Sequence, residues 1–182
     1  MTQNTPQKSA THQPEPWLRG TKQGVPAVPR AVLHALELAE EDLRRWCGGL
    51  TDTELNASPA GLPPLAFHFR HIARSLDRLL TYAEDHTLSD QQLAALKTES
   101  DLSASHQQLF AELATSLATS GQRVLALASA DFEASRAVGK KALPTSLGGL
   151  LVHLADHTQR HVGQAVTTAK LLLAQRRTAE RP

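Results

Sequence analysis

His157 and His161 stand four residues apart in Leu150-Leu151-Val152-His153-Leu154-Ala155-Asp156-His157-Thr158-Gln159-Arg160-His161, a segment with helical periodicity. On a helix this spacing stacks the two rings one turn apart on one face. Leu147, Leu150, Leu154, Ala165, Thr168 and Leu172 trace an apolar stripe along the same helix, and both imidazoles are expected near its centre. A ring brought into an apolar seam needs partners for its polar nitrogens. One divalent metal ion serves several rings at once. Zinc, nickel, copper and iron all accept imidazole, and spacing does not choose among them.

A metal site that does chemistry takes about three protein donors and leaves positions open for water or substrate. The third donor must come from another element. His68 and His71 form a second group, in the first turns of another predicted helix whose stripe is Leu65, Phe69, Ile72, Leu76, Leu79 and Ala83. On the helical wheel His68 lies close to that stripe, while His71 lies ~120° from its centre. Amphipathicity alone selects His68. His153 falls ~60° off its own stripe and reads as a partner behind a ligand or as a surface residue. Gln164 is placed to line the mouth of a pocket.

Four long helical segments must position these rings. The apolar periods predict helices over about 29–46, 64–84, 103–128 and 145–176, the last with Thr145 as its N-cap. Thr51-Asp52-Thr53-Glu54 and Ser89-Asp90-Gln91-Gln92 have the form of capping boxes and predict short connecting helices over 52–56 and 89–97. Residues 130–144 lose the helical period and read as a loop or small hairpin. The fold expected is all-α, a four-helix bundle with short connecting helices. Residues 1–28 read as an N-terminal arm, largely extended or disordered, in which Trp17 is the one residue built to dock. Residues 29–176 form the bundle and 177–182 a short tail.

Composition narrows the function. Nineteen Lys and Arg stand against 18 Asp and Glu, so there is no basic field for nucleic acid. There is no apolar run of ~20 residues and no leader pattern, which predicts no membrane role and a cytoplasmic protein. The single cysteine, Cys47, excludes an internal disulfide and reads as a small buried hydrophobe. Arg70, Arg74 and Arg78 recur at i, i+4 and i+8 and are expected to form a solvated ridge that, near a pocket rim, would draw an anionic substrate. Asp77 and Glu84 read as solvated carboxylates, so no general base accompanies the histidines.

The stretch from His153 to Gln164, with its histidine pair followed by Val162-Gly163-Gln164, resembles the signature of the DinB-like (DinB/YfiT-like) metal-binding four-helix bundles. The stretch Phe67-His68-Phe69-Arg70-His71-Ile72-Ala73 resembles that family's first ligand segment, a histidine followed by an apolar residue and Ala. The resemblance covers about residues 29–176. It implies His71, His157 and His161 as metal ligands, and so chooses His71 where the wheel chooses His68. With those three as ligands, His68, His153 and Gln164 are the candidates for residues behind them. It also implies a divalent transition metal, zinc or nickel foremost, a homodimer, and a metal-dependent enzyme such as a small-thiol S-transferase using a low-molecular-weight thiol. A metal-dependent hydrolase, or a metal-bearing binding module without chemistry, are the other readings it admits.

Overall fold

The structure, a computed structural model, describes residues 13–101 and 103–180. Its long helices are α1 (Ala27–Cys47), α3 (Leu65–Ala83), α5 (His106–Ala126) and α6 (Leu147–Ala179); α2 (Asp52–Leu55) and α4 (Asp90–Lys97) are short connectors. Helix α1 packs on α5 and α6, and α3 packs on the same two, so each long helix has two long neighbours. The fold is all-α apart from one small hairpin, and the neighbour pattern is that of a bundle.

Each core face follows from the sequence period. Val32, Leu36, Ala39 and Leu43 of α1, Phe69, Ile72, Leu76 and Leu80 of α3, and Leu109, Leu113, Leu117 and Val124 of α5 are all buried. Phe69 meets Phe110 edge to face at 4.8 Å between ring centres. The buried line of α6 runs through Leu151, Leu154, Thr158, Val162, Ala165, Ala169 and Leu172. That line corrects the wheel: His157 and His161 lie half-buried on the flank of the stripe rather than at its centre.

Both predicted capping boxes close as expected, at Thr51/Glu54 and at Ser89/Gln92. A third, Ser105/Gln108, opens α5 and moves its start past the expected 103. Residues 135–146 form an antiparallel hairpin, β1 (Ser135–Val138) paired with β2 (Leu143–Ser146). Thr145 pairs with Arg136 in this ladder, so the N-cap of α6 is Ser146, whose side chain accepts from the Gly149 N–H.

Part of the N-terminal arm departs from an extended chain. Residues 1–12 lie outside the described residues, but Pro16–Leu18 forms one turn of 3-10 helix against α1. Arg19 makes a bidentate pair with Glu41 at 2.6 and 2.7 Å, and Lys22 pairs with Glu37. These bonds fix the segment, while Trp17 itself stays 61% exposed. Helix α4 buries no side chain. Polar bonds hold it instead: Gln92 donates to Asp77 at 2.7 Å and to Thr81 at 2.8 Å, and Arg74 donates to the Ala95 carbonyl at 2.7 Å.

Candidate metal centre

Pro63 and Pro64 end the preceding loop, and α3 begins directly after them, so its first two turns carry Phe67, His68 and His71. His68 shares the core face with Leu65, Phe69 and Ile72 and is buried at 1% exposure. His71, three residues on, turns ~60° away from it toward the flank of α6. There its Nε2 lies 2.9 Å from Nε2 of His157. Its ring centre lies 4.2 Å from that of His161. One donor nitrogen from each of His71, His157 and His161 falls within 4.8 Å of the other two, a group that could hold a metal ion. A tetrahedral ion with nitrogens at ~2.0–2.1 Å separates its ligands by ~3.3 Å, so small ring movements would bring the three nitrogens to ligating distance.

The wheel and the family resemblance are both informative about helix α3. His68 takes the core position that the wheel gave it, and it is not among the three converging rings. Its Nδ1 lies 3.3 Å from Nδ1 of His161. Nε2 of His68 is buried with no hydrogen-bond partner among the described residues. Phe67 stacks on His71 at 5.3 Å and an interplanar angle of 20°, walling the site with an apolar ring. Of the remaining expected residues, His153 is exposed, with its ring 5.5 Å from that of His157. Gln164 is also exposed and bonds to none of the histidines among the described residues.

Burial keeps these rings neutral. It is the foremost cause that pulls His68, His157 and His161 down to about 4, with the charge of neighbouring histidines adding to it. At neutral pH each ring therefore retains a lone pair, the form in which imidazole binds metal. The donor set fits a borderline divalent ion.

A carboxylate absent from the sequence reading sits behind His71. Glu99, in the loop after α4, is buried at 5% exposure and has two partners. Its Oε2 lies 2.7 Å from Nδ1 of His71, and its Oε1 accepts from Arg78 at 2.6 Å. Burial pushes this carboxyl up, but the bonds from His71 and Arg78 outweigh it and hold it below the ordinary glutamate range. Nothing in the local sequence marks Glu99, since it belongs to no periodic face and only the tertiary fold carries it to His71.

The same bonds correct the reading of the charged residues on α3. Arg70 is buried, Arg78 pairs with Glu99, and Arg74 bonds Glu112 at 3.1 Å, so these arginines are structural rather than a solvated ridge. Asp77 and Glu84 are not free either, because both pair with Arg123 at 2.7 Å. Cys47 is buried as expected, and burial pushes its thiol up to about 12.

A family model describing the DinB superfamily matches residues 35–165, from the middle of α1 to just past His161. The chain belongs to the DinB superfamily. No curated protein and no solved structure matches it. The matched span of this DinB-superfamily chain contains all three converging histidines and Glu99. No helix among the described residues is long and apolar enough to cross a membrane.

Two predictions follow from this arrangement. The histidines at about 4 in the folded chain return to about 6.5 on unfolding. The unfolded chain thus takes up protons first as pH falls, so the metal-free protein should hold its stability above 6.5 and lose it progressively toward 4. Urea midpoints across that range test this, and a flat profile would contradict it. His71→Ala should cost metal retention, whereas His68→Ala should leave metal retention largely intact and lower the urea midpoint because it empties a buried position. The reverse pattern would return His68 to the ligand set.

Proposed function

We propose that this chain is a metal-dependent enzyme in which His71, His157 and His161 hold one divalent transition metal, zinc or nickel, and that it transfers a small thiol onto an electrophile. The observation carrying this reading is the convergence of three imidazole nitrogens within 4.8 Å at a half-buried flank, where no carboxylate or cysteine joins them as a fourth donor among the described residues. Three protein donors leave coordination positions for substrate, whereas a structural site is closed by four. When bound, such an ion supplies Lewis acidity, lowering the pKa of a thiol or of water enough to form a nucleophile near neutral pH.

The protein's own residues contribute orientation and exclusion. His157 and His161, one turn apart on α6, hold two donors on one rigid element, and α3 brings the third. Phe67 stacks on His71 and also lines a cavity of about 340 Å³ with Ser58, Pro63, Pro64 and Ser100. Phe67 is the link between that recess and the His71 ring, and the recess suits the body of an organic electrophile. The nearest carboxylate, Glu99, is committed to His71 and Arg78 and does not reach into the site as a base. Its engagement favours a thiol, which ionises more readily than water, over hydrolysis. The homodimer and the use of a low-molecular-weight thiol belong to the same proposal.

The test begins with protein produced without a histidine tag. It should carry about one first-row divalent ion per chain, and His157→Ala or His161→Ala should reduce that below about a tenth while His153→Ala leaves it unchanged. Metal-loaded protein should then conjugate a low-molecular-weight thiol to a generic electrophile and lose that turnover on chelation. Turnover of an ester without added thiol would favour the hydrolase. Full metal content with no turnover in either assay would favour a binding module.

A further inference from the structure

We infer that Glu99 is the positioning residue of the candidate metal centre, holding His71 in the tautomer that carries its proton on Nδ1 and so turning the lone pair of Nε2 toward His157 and His161. The inference rests on the metal-site reading for its purpose, but its physical content is visible in the metal-free chain. An ionised carboxylate only accepts hydrogen bonds, so at 2.7 Å from Oε2 the Nδ1 of His71 must be the donor. A neutral imidazole with its proton on Nδ1 has its lone pair on Nε2, the nitrogen that lies 2.9 Å from His157.

Glu99 is itself held from two directions. Arg78 donates to its other oxygen at 2.6 Å. The chain that carries it is pinned one and four residues earlier, where Arg74 donates to Thr98 at 2.8 Å and to the Ala95 carbonyl at 2.7 Å. Three residues of α3, Arg74, Arg78 and His71, thus clamp one short stretch of chain. An Arg78–Glu99 ion pair serving stability alone would not require the second oxygen to face a ring nitrogen. Carboxylates placed behind ligating histidines raise their basicity and fix their orientation, and removing them costs about 10–100-fold in metal affinity.

The decisive variant is Glu99→Gln. The Arg78 guanidinium only donates, so it takes the amide carbonyl and leaves the amide NH2 facing Nδ1 of His71. The ring must then accept at Nδ1 and carry its proton on Nε2, where it blocks ligation. Glu99→Gln should therefore weaken zinc binding by about 10–100-fold, at least as much as Glu99→Ala, which removes the acceptor without imposing the wrong tautomer. A merely structural role gives the opposite order, because Gln keeps the shape and Ala does not. Long-range nitrogen–proton NMR on the metal-free protein reads the tautomer directly. His71 should be protonated at Nδ1 in the wild type and at Nε2 in Glu99→Gln. Wild-type His71 protonated at Nε2, or Glu99→Gln binding zinc within about twofold of wild type, overturns the inference. The wild-type spectrum needs no variant to fold. A wild type that shows the Nδ1 tautomer yet binds no zinc would defeat the metal reading and leave the role of Glu99 in orienting the ring intact.

Discussion

The approach of His71 to His157 across the α3–α6 contact is the constraint on which the rest of the site depends. Two rings with Nε2 atoms 2.9 Å apart are stable neighbours only if one donates to the other or a cation lies between them. Glu99 bears on that choice, because a ring whose proton is committed to Nδ1 has only a lone pair to offer at Nε2. His157 could still donate to it, so the pair has a metal-free resting form as well as a metal-ready one. His161, one turn along α6, adds the third nitrogen and makes the arrangement more than a hydrogen-bonded pair.

The bundle exists to hold that contact. Leucines and Thr158 occupy the centre of the α6 stripe, and Phe69, Ile72 and Leu76 occupy that of α3, so the helices dock through apolar faces while the clustered histidine rings meet at the margin. A margin position keeps the nitrogens reachable from solvent and still buries His157 and His161 enough to stay neutral. His68 marks the boundary between the two regimes. It faces fully inward, with its Nδ1 3.3 Å from Nδ1 of His161. Polar bonds from Arg74 and Gln92 do for α4 what apolar packing does for the long helices, and they fix the loop that delivers Glu99.

Much of this was legible in the residues. The helical periods located all four long helices, and two capping boxes located the short ones, because those signals are local. The histidine pair on α6 was legible for the same reason. The wheel misjudged depth, placing His157 and His161 at the centre of a stripe whose buried line runs through Leu154, Thr158 and Val162. It was correct that His68 is the buried member of its pair, but burial is not ligation, and the resemblance to the family was needed to point to His71. Glu99 was invisible because a lone glutamate in a loop has no period, and its role arises only when α4 folds back along α3. The arginine row on α3 misled for the same reason, since each of its paired members finds its carboxylate on a different, distant segment.

Zinc K-edge X-ray absorption of the zinc-loaded protein tests the central claim most directly. The spectrum should show the multiple-scattering pattern of about three imidazoles with nitrogens at ~2.0–2.1 Å, plus at least one non-protein ligand. A spectrum without imidazole scattering, or one with four protein donors, would contradict an open three-histidine centre.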